Sequence, residues 1–291
     1  MTGDVVDRVF DVLAASAPEI RAGLPGRRTK TAETNESGER QLAADLWADD
    51  LLQERFLAVD GVGAYASEER ETIESASETE ADDLAVAVDP LDGSSNLKSN
   101  NPMGTVLGVY EDDLPASGRS LVGAAFVLYG PITTLVTARE ISGGEVRATE
   151  YVVEDGDRRE VGTVELPADP TVYGFGGRVS DWTDDFQTHV RGIEQETDLK
   201  LRYGGAMIAD VSQVLTYGGI FGYPGLRERP EGKLRLLFEG APMAYIIEAA
   251  GGASSDGEQS LLDVEAESLH QRTPVFLGSE ELVDDVETAL R

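Results

Sequence analysis

Cysteine is absent from the 291-residue chain, which excludes disulfides, thiolate zinc sites, iron–sulfur clusters and cysteine nucleophiles together. Histidine is nearly absent. With only His189 and His270, a histidine-rich metal site is impossible and a histidine triad is not expected. Lysine occurs only at positions 30, 98, 200 and 233, against 20 arginines. The N-terminus has no basic segment followed by an apolar run, so no secretory signal is expected. Leu121–Ala138 is uncharged over 18 residues, but Gly130-Pro131 divides it, so it reads as two buried strands joined by a tight turn. A soluble, cytoplasmic protein is expected.

Carboxylate is what the chain has in excess. Acidic residues number 55 against 24 basic, a net charge of −31, and the pI is ≈ 4.2. Such a surface repels the phosphates of nucleic acid and of anionic lipid, so neither nucleic acid nor membrane is expected as a partner. Hydrophobic residues make up 41%, enough for an ordinary core and too many for a disordered acidic chain. High acid, scarce lysine and a normal core together fit a protein kept soluble in strong salt, where screening relieves self-repulsion. Carboxylates are also the ligands that hard cations such as Mg²⁺ select.

Apolar periodicity predicts a helix over Asp4–Ala17 and another over Glu39–Phe56, with Pro25–Gly38 a polar loop between them. Strands are expected near Ala64–Ser67, Leu84–Val88, Thr105–Tyr110, Ala124–Tyr129, Ile132–Ala138 and Glu145–Val152. Glu68–Asp83 carries eight acids and one base and reads as a solvated loop. Glu154–Glu160 reads as a charged connector, dividing the chain into domains 1–160 and 161–291. The second half alternates: strand Thr171–Phe175, helices Trp182–Gln195 and Met207–Tyr217, and strand Gly219–Tyr223. A helix around Arg235–Ala250 stops at Gly251-Gly252, and strand Pro274–Leu277 and helix Glu280–Leu290 follow. The class is α/β (α+β), with helices covering sheets on both sides of a central seam.

The chemistry concentrates in Asp89-Pro90-Leu91-Asp92-Gly93-Ser94-Ser95-Asn96, directly after an apolar strand. Pro90 fixes φ and Gly93 permits a tight turn, so Asp89 and Asp92 can face one point, with the Leu91 carbonyl as a third hard oxygen. The amides of Gly93, Ser94 and Ser95 can then form an anion nest. An Asp-Gly pair alone would be only a turn; the whole octet after a buried strand is more specific. Ser67-Glu68-Glu69 is either a capped first helical turn or two carboxylates at a strand end, one for each of two cations. Tyr203, Tyr217 and Tyr223 near Lys233 suit a sugar phosphate, although half-buried packing explains tyrosines equally well. GxxxxGK[ST] is absent, and Gly174-Phe175-Gly176-Gly177 is not a dinucleotide loop, which disfavours kinases and dehydrogenases.

On SEE (67–69), DPLDGSSN (89–96), RYGGAMIADVSQVLTYGGIFGYP (202–224) and GKLRLLFEGAPMAYIIEAAGG (232–252), the chain resembles class I fructose-1,6-bisphosphatases, within the metal-dependent, lithium-sensitive phosphatases. The resemblance runs from about Lys30 onward and implies a layered αβαβα sandwich of the sugar phosphatase type. It implies metal-assisted hydrolysis of the 1-phosphate of D-fructose 1,6-bisphosphate, in gluconeogenesis. It implies two or three Mg²⁺ per site, with Mn²⁺ as an alternative. The implied metal ligands are Glu68, Glu69, Asp89, the Leu91 carbonyl, Asp92 and Glu239. Asp50 and Glu69 are implied to orient and deprotonate the attacking water; Asp50 also reads as an exposed helix acid beside Asp49. Asp92, Gly93, Ser94, Ser95 and Asn96 would hold the 1-phosphate, and Tyr203, Tyr223 and Lys233 the sugar and 6-phosphate. Arg202 would reach that phosphate from a neighbouring subunit, implying a homotetramer or homodimer.

The chain departs from the family pattern in two places. The family's asparagine at the 6-phosphate falls on Gly176, and Arg178 is the candidate replacement. The lysine–tyrosine pair that contacts AMP falls on Asp83 and Leu84, and the N-terminal Thr-Gly-Glu loop has no counterpart, so AMP inhibition by the usual route is not expected. The alternatives are the same chemistry on sedoheptulose 1,7-bisphosphate or an inositol phosphate, and an inactive sugar-phosphate-binding regulator. Whether the Thr29–Arg40 loop closes over the site is left open by the sequence.

Overall fold

The computed structural model describes residues 2–28, 30–34 and 40–291. Part of the Thr29–Arg40 loop, with any closure it makes, therefore lies outside the described residues. Helix α1 (Thr2–Gly23) is followed by a hairpin of β1 (Lys30–Thr34) and β2 (Arg40–Leu42) and by α2 (Ala43–Phe56). The strands β3 (Val62–Ser67), β4 (Glu74–Ser75), β5 (Leu84–Asp92), β6 (Met103–Tyr110), β7 (Leu121–Tyr129), β8 (Thr133–Ser142), β9 (Glu145–Glu154) and β10 (Asp157–Thr163) form one sheet. Its order is β10-β9-β8-β7-β6-β5-β3-β4, antiparallel except for the parallel β3–β5 pair.

The second half contributes β11 (Val172–Phe175), α3 (Asp184–Glu196), β12 (Lys200–Leu201), α4 (Met207–Tyr217) and β13 (Gly219–Tyr223). It continues with β14 (Leu234–Arg235), α5 (Ala241–Ala249), β15 (Ala253–Ser255), β16 (Arg272–Thr273), β17 (Val275–Gly278) and α6 (Glu280–Leu290). A five-stranded sheet has the order β12-β11-β13-β17-β15, and β14 pairs with β16.

The layering follows from side-chain alternation. In β5, Leu84, Val86 and Val88 enter the core under α1 and α2, while Ala85 and Ala87 enter the opposite core, which α4 and α5 share. Successive strand residues point to opposite faces, so a strand buried on both sides reads as one continuous apolar run. In the smaller sheet Phe221, Val275 and Leu277 face α4 and α5, and Ile220 and Phe276 face α3 and α6. Helix pair, large sheet, helix pair, small sheet and helix pair give the expected αβαβα sandwich.

Several sequence expectations change here. The expected Pro25–Gly38 loop contains strand β1, and the helix expected from Glu39 begins at Ala43, after β2. Glu154–Glu160 is not a connector: β10 folds back on β9, and position 160 falls inside that strand. The helix expected from Arg235 begins instead as strand β14, passes through a π-turn at Leu236–Gly240, and becomes regular only at Ala241. Tertiary pairing of Arg235 with Arg272 overrides the helical period there.

Candidate active site

Strand β5 carries the central ligands. Its pairing with β6 slips between Asp89 and Asp92, because Pro90 has no N–H to give the ladder. The Thr105 hydroxyl instead donates to the Pro90 carbonyl at 2.8 Å. Gly93 then adopts φ +73°, and a Cβ there would lie 2.2 Å from that of Ala206, so only glycine lets the loop before α4 come this close. The parallel neighbour β3 ends at Ser67 and delivers Glu68 and Glu69 beside it; Glu68 N donates to Val88 O at 3.0 Å. The π-turn after β14 delivers Glu239, whose Oε2 accepts from Arg235 N at 2.6 Å.

Glu68, Asp89 and Glu239, far apart in sequence, offer carboxylate oxygens within 4.8 Å of one another. Asp92 lines the same cleft and accepts from Ile208 N at 2.6 Å. Burial, then the charges of Glu68, Asp92 and Glu239, raises the pKa of Asp89 well above the usual carboxylate range. Burial, reinforced by Glu68, pushes Glu239 to about 8. Burial also takes Asp92 to about 7, against the opposing hydrogen bond from Ile208. The Arg235 guanidinium reaches into the cluster and pairs with Glu68. Crowded, buried carboxylates with hard oxygens are a cation's donor set, and a divalent ion offsets the burial, and the repulsion behind it, that raise these pKa values.

Gly93, Ser94, Ser95, Glu69 and Leu91 line the cleft, together with Tyr203, Tyr223 and Lys233. Tyr203 remains 46% exposed, and Lys233 Nζ stands 5.6 Å above the Tyr223 ring.

Four expected site residues stand elsewhere. Asp50 is not among the residues lining the cleft; its side chain is 77% exposed and pairs with Arg70 at 2.7 Å. Asp45 lines the cleft instead, at the start of α2, where its Oδ2 accepts from Leu42 N at 2.8 Å. The buried face of α2 is 44/45/48/49/52/56, so two aspartates sit in phase with Ala48, Leu52 and Phe56, and that phase was the available signal. Asn96 is buried, with its amide committed to the carbonyls of Pro102 and Gly204. Arg178 is exposed, because the chain turns at Gly177 (φ +89°) immediately after β11 and carries it away. Arg202 is also exposed and outside the lining. Arg235 and Arg272 are lining residues that the motif reading did not single out.

A family model described as the fructose-1-6-bisphosphatase N-terminal domain matches residues 16–150, and one for the C-terminal domain of the same enzyme matches 166–291. The chain is 58% identical to a fructose-1,6-bisphosphatase class 1 of Halobacterium salinarum, covering 99% of this chain and 98% of that one. It is 60% identical to the enzyme of the same name from Natronomonas pharaonis, over 99% of each chain. The holo crystal structure of Leishmania major fructose-1,6-bisphosphatase superimposes with a TM-score of 0.87 at 29% identity, covering 98% of this chain and 93% of that one.

Proposed function

Since the chain belongs to the fructose-1,6-bisphosphatase class 1 family, we propose that it cleaves the 1-phosphate of D-fructose 1,6-bisphosphate, giving fructose 6-phosphate and phosphate. The observation that carries this reading is the convergence of Glu68, Asp89 and Glu239 beside Asp92 and the Gly93–Ser95 loop. Glu68, Asp89, Asp92 and Glu239, with Glu69 and the Leu91 carbonyl, are the residues to hold the divalent metal, Mg²⁺ in two or three copies or Mn²⁺. The metal supplies positive charge against the phosphoryl oxygens and acidity to water.

The chain's own residues do the rest. Asp45 and Glu69 orient the attacking water and accept its proton as the new P–O bond forms and the P–O1 bond breaks; that proton, or one from solvent, then passes to the departing O1, which leaves as the sugar hydroxyl. Main-chain N–H groups of Gly93, Ser94 and Ser95 hold the 1-phosphate. Lys233 and the hydroxyls of Tyr203 and Tyr223 hold the sugar and 6-phosphate. Arg202 is exposed at the end of β12, as a residue donated to a neighbouring copy's cleft must be, so a homodimer or homotetramer is part of the proposal. Among the described residues no helix is long and apolar enough to cross a membrane, and we place the reaction in the cytoplasm.

Phosphate release from a panel of sugar and inositol phosphates, with Mg²⁺ and high KCl, tests the assignment. Fructose 1,6-bisphosphate is expected to be the best substrate, with the Glu68→Gln variant inactive. Faster release from sedoheptulose 1,7-bisphosphate or an inositol phosphate would overturn the substrate, and no release from any would favour a regulator.

A further inference from the structure

A second cavity, of ≈ 510 Å³, lies between the C-terminal end of α1 and the β7–β8 turn. Arg21 and Arg28 line it, and among the described residues no acidic residue does. In a chain with 55 acidic residues against 24 basic, a concavity lined by two guanidinium groups and by no carboxylate among the described residues differs in charge from the rest of the surface. Among the described residues each guanidinium is held by one neutral oxygen. Arg21 Nη1 donates to Thr133 Oγ1 at 2.8 Å, and Arg28 Nη2 donates to the Lys98 carbonyl at 2.6 Å. The remaining donors of each planar fork match the spacing of phosphate oxygens. Leu24, Leu97 and Met103 add apolar lining, which suits the body of a ligand whose anionic end meets the arginines.

Two hydrogen-bonded paths join this cavity to the cleft. Tyr129 lines the cavity; its hydroxyl lies 3.0 Å from Thr105 Oγ1, which donates to the carbonyl of Pro90, between Asp89 and Leu91. Pro102 also lines it, and its carbonyl is held by the Asn96 amide that holds Gly204. We propose that the cavity is a binding site for a phosphorylated metabolite with an apolar or planar body, and that its occupancy changes the geometry of the Asp89–Asp92 turn.

Phenylphosphonate, which combines a non-hydrolysable dianionic head with an aryl ring, is a suitable probe. Calorimetric titration of the full chain is expected to show binding that persists in Lys233→Ala, where the catalytic cleft is altered. Affinity should fall about tenfold or more in the Arg21→Ala/Arg28→Ala double variant. Asn101→Asp, isosteric and exposed, should weaken it too by placing a carboxylate in the cavity, and it covers the case in which the double variant fails to fold. Unchanged affinity in both cavity variants, or binding abolished by Lys233→Ala, would overturn the site. The probe should also shift KM or kcat in the wild type and lose that effect in Tyr129→Phe while still binding. Binding with no kinetic effect in the wild type would overturn the coupling. The titration needs no turnover, so it stands or falls separately from the substrate assignment.

Discussion

The side-chain amide of Asn96 donates to the carbonyl of Gly204 at 2.9 Å, joining two residues 108 positions apart. The N–H of the same Gly204 donates to Asp210 Oδ1 at 2.7 Å, so the residue after Tyr203 is held from both sides. One holder follows the 93–95 loop and the other lies on α4, and the two ends of the cleft are thereby kept in register. Asn96→Ala removes two part-buried hydrogen bonds made by a buried side chain. It is expected to cost about 2–3 kcal/mol of stability and to raise KM more than it lowers kcat. A urea denaturation series with steady-state kinetics checks both.

Asp45 and Asp50 are separated by one and a half helical turns, and only the first faces the cleft. Asp45→Asn is expected to lower kcat by roughly 100-fold or more. Asp50→Asn loses one exposed ion pair, worth about 0–1 kcal/mol, and should leave turnover nearly unchanged. If Asp50→Asn proves the more damaging variant, the assignment of Asp45 is wrong.

The carboxylate cluster makes the metal-free protein less stable as pH rises. Free carboxylates titrate near about 4, whereas Asp92 is raised to about 7 and Glu239 to about 8, and Asp89 is raised as well. Between those limits the folded state retains protons that the unfolded chain has released. Unfolding free energy therefore falls as pH climbs through about 4 to 8. With a chelator, Tm should decline across that window; Mg²⁺ should flatten the decline and release protons on binding. Glu239→Gln separates the cluster's share from that of the acidic surface: the apoprotein should gain stability while metal activation is lost.

On the resemblance, the family's asparagine falls on Gly176, and the space beside that glycine is not vacant. A Cβ at Gly176 would approach Tyr223 Cδ2 to 2.2 Å. Gly176→Asn is therefore expected to displace the Tyr223 ring and raise KM for the bisphosphate by about tenfold, a loss of roughly 1.4 kcal/mol. An improved KM would mean that the ring can yield.

Asp83 is half-buried just before β5, where it accepts from Glu80 N at 2.7 Å. If, as the resemblance implies, Asp83 takes the place of the family's AMP-binding lysine, its carboxylate repels AMP, and AMP at millimolar concentration should not inhibit. Inhibition at micromolar AMP would contradict this.

Much of the architecture is local in origin. Helix α4, strand β13 and helix α6 have the limits that periodicity and end signals predict, because Gly218 (φ +65°) stops α4 and the apolar runs have lengths suited to one element each. The turn chemistry of Pro90 and Gly93 is likewise written in neighbouring residues. Asp45 was missed because acids on an amphipathic helix normally mark the solvated face, and α2 buries Asp45 and Asp49 against its neighbours. Asn96 reads as an extension of the phosphate loop until its distant partner Gly204 is in view.

The sequence alone set the residue types available for chemistry, carboxylates in excess with no thiol and almost no imidazole, and the place of the long apolar strands and helices, because composition and backbone preference act over a few neighbours. Only the tertiary structure decided which carboxylates meet. Glu68, Asp89 and Glu239 share one cleft because separate chain segments, a parallel strand pair and a π-turn, are packed against one another. Burial in that packed interior, a property of no local segment, is what raises the proton affinity of Asp89 and Glu239 and prepares the cluster for a cation.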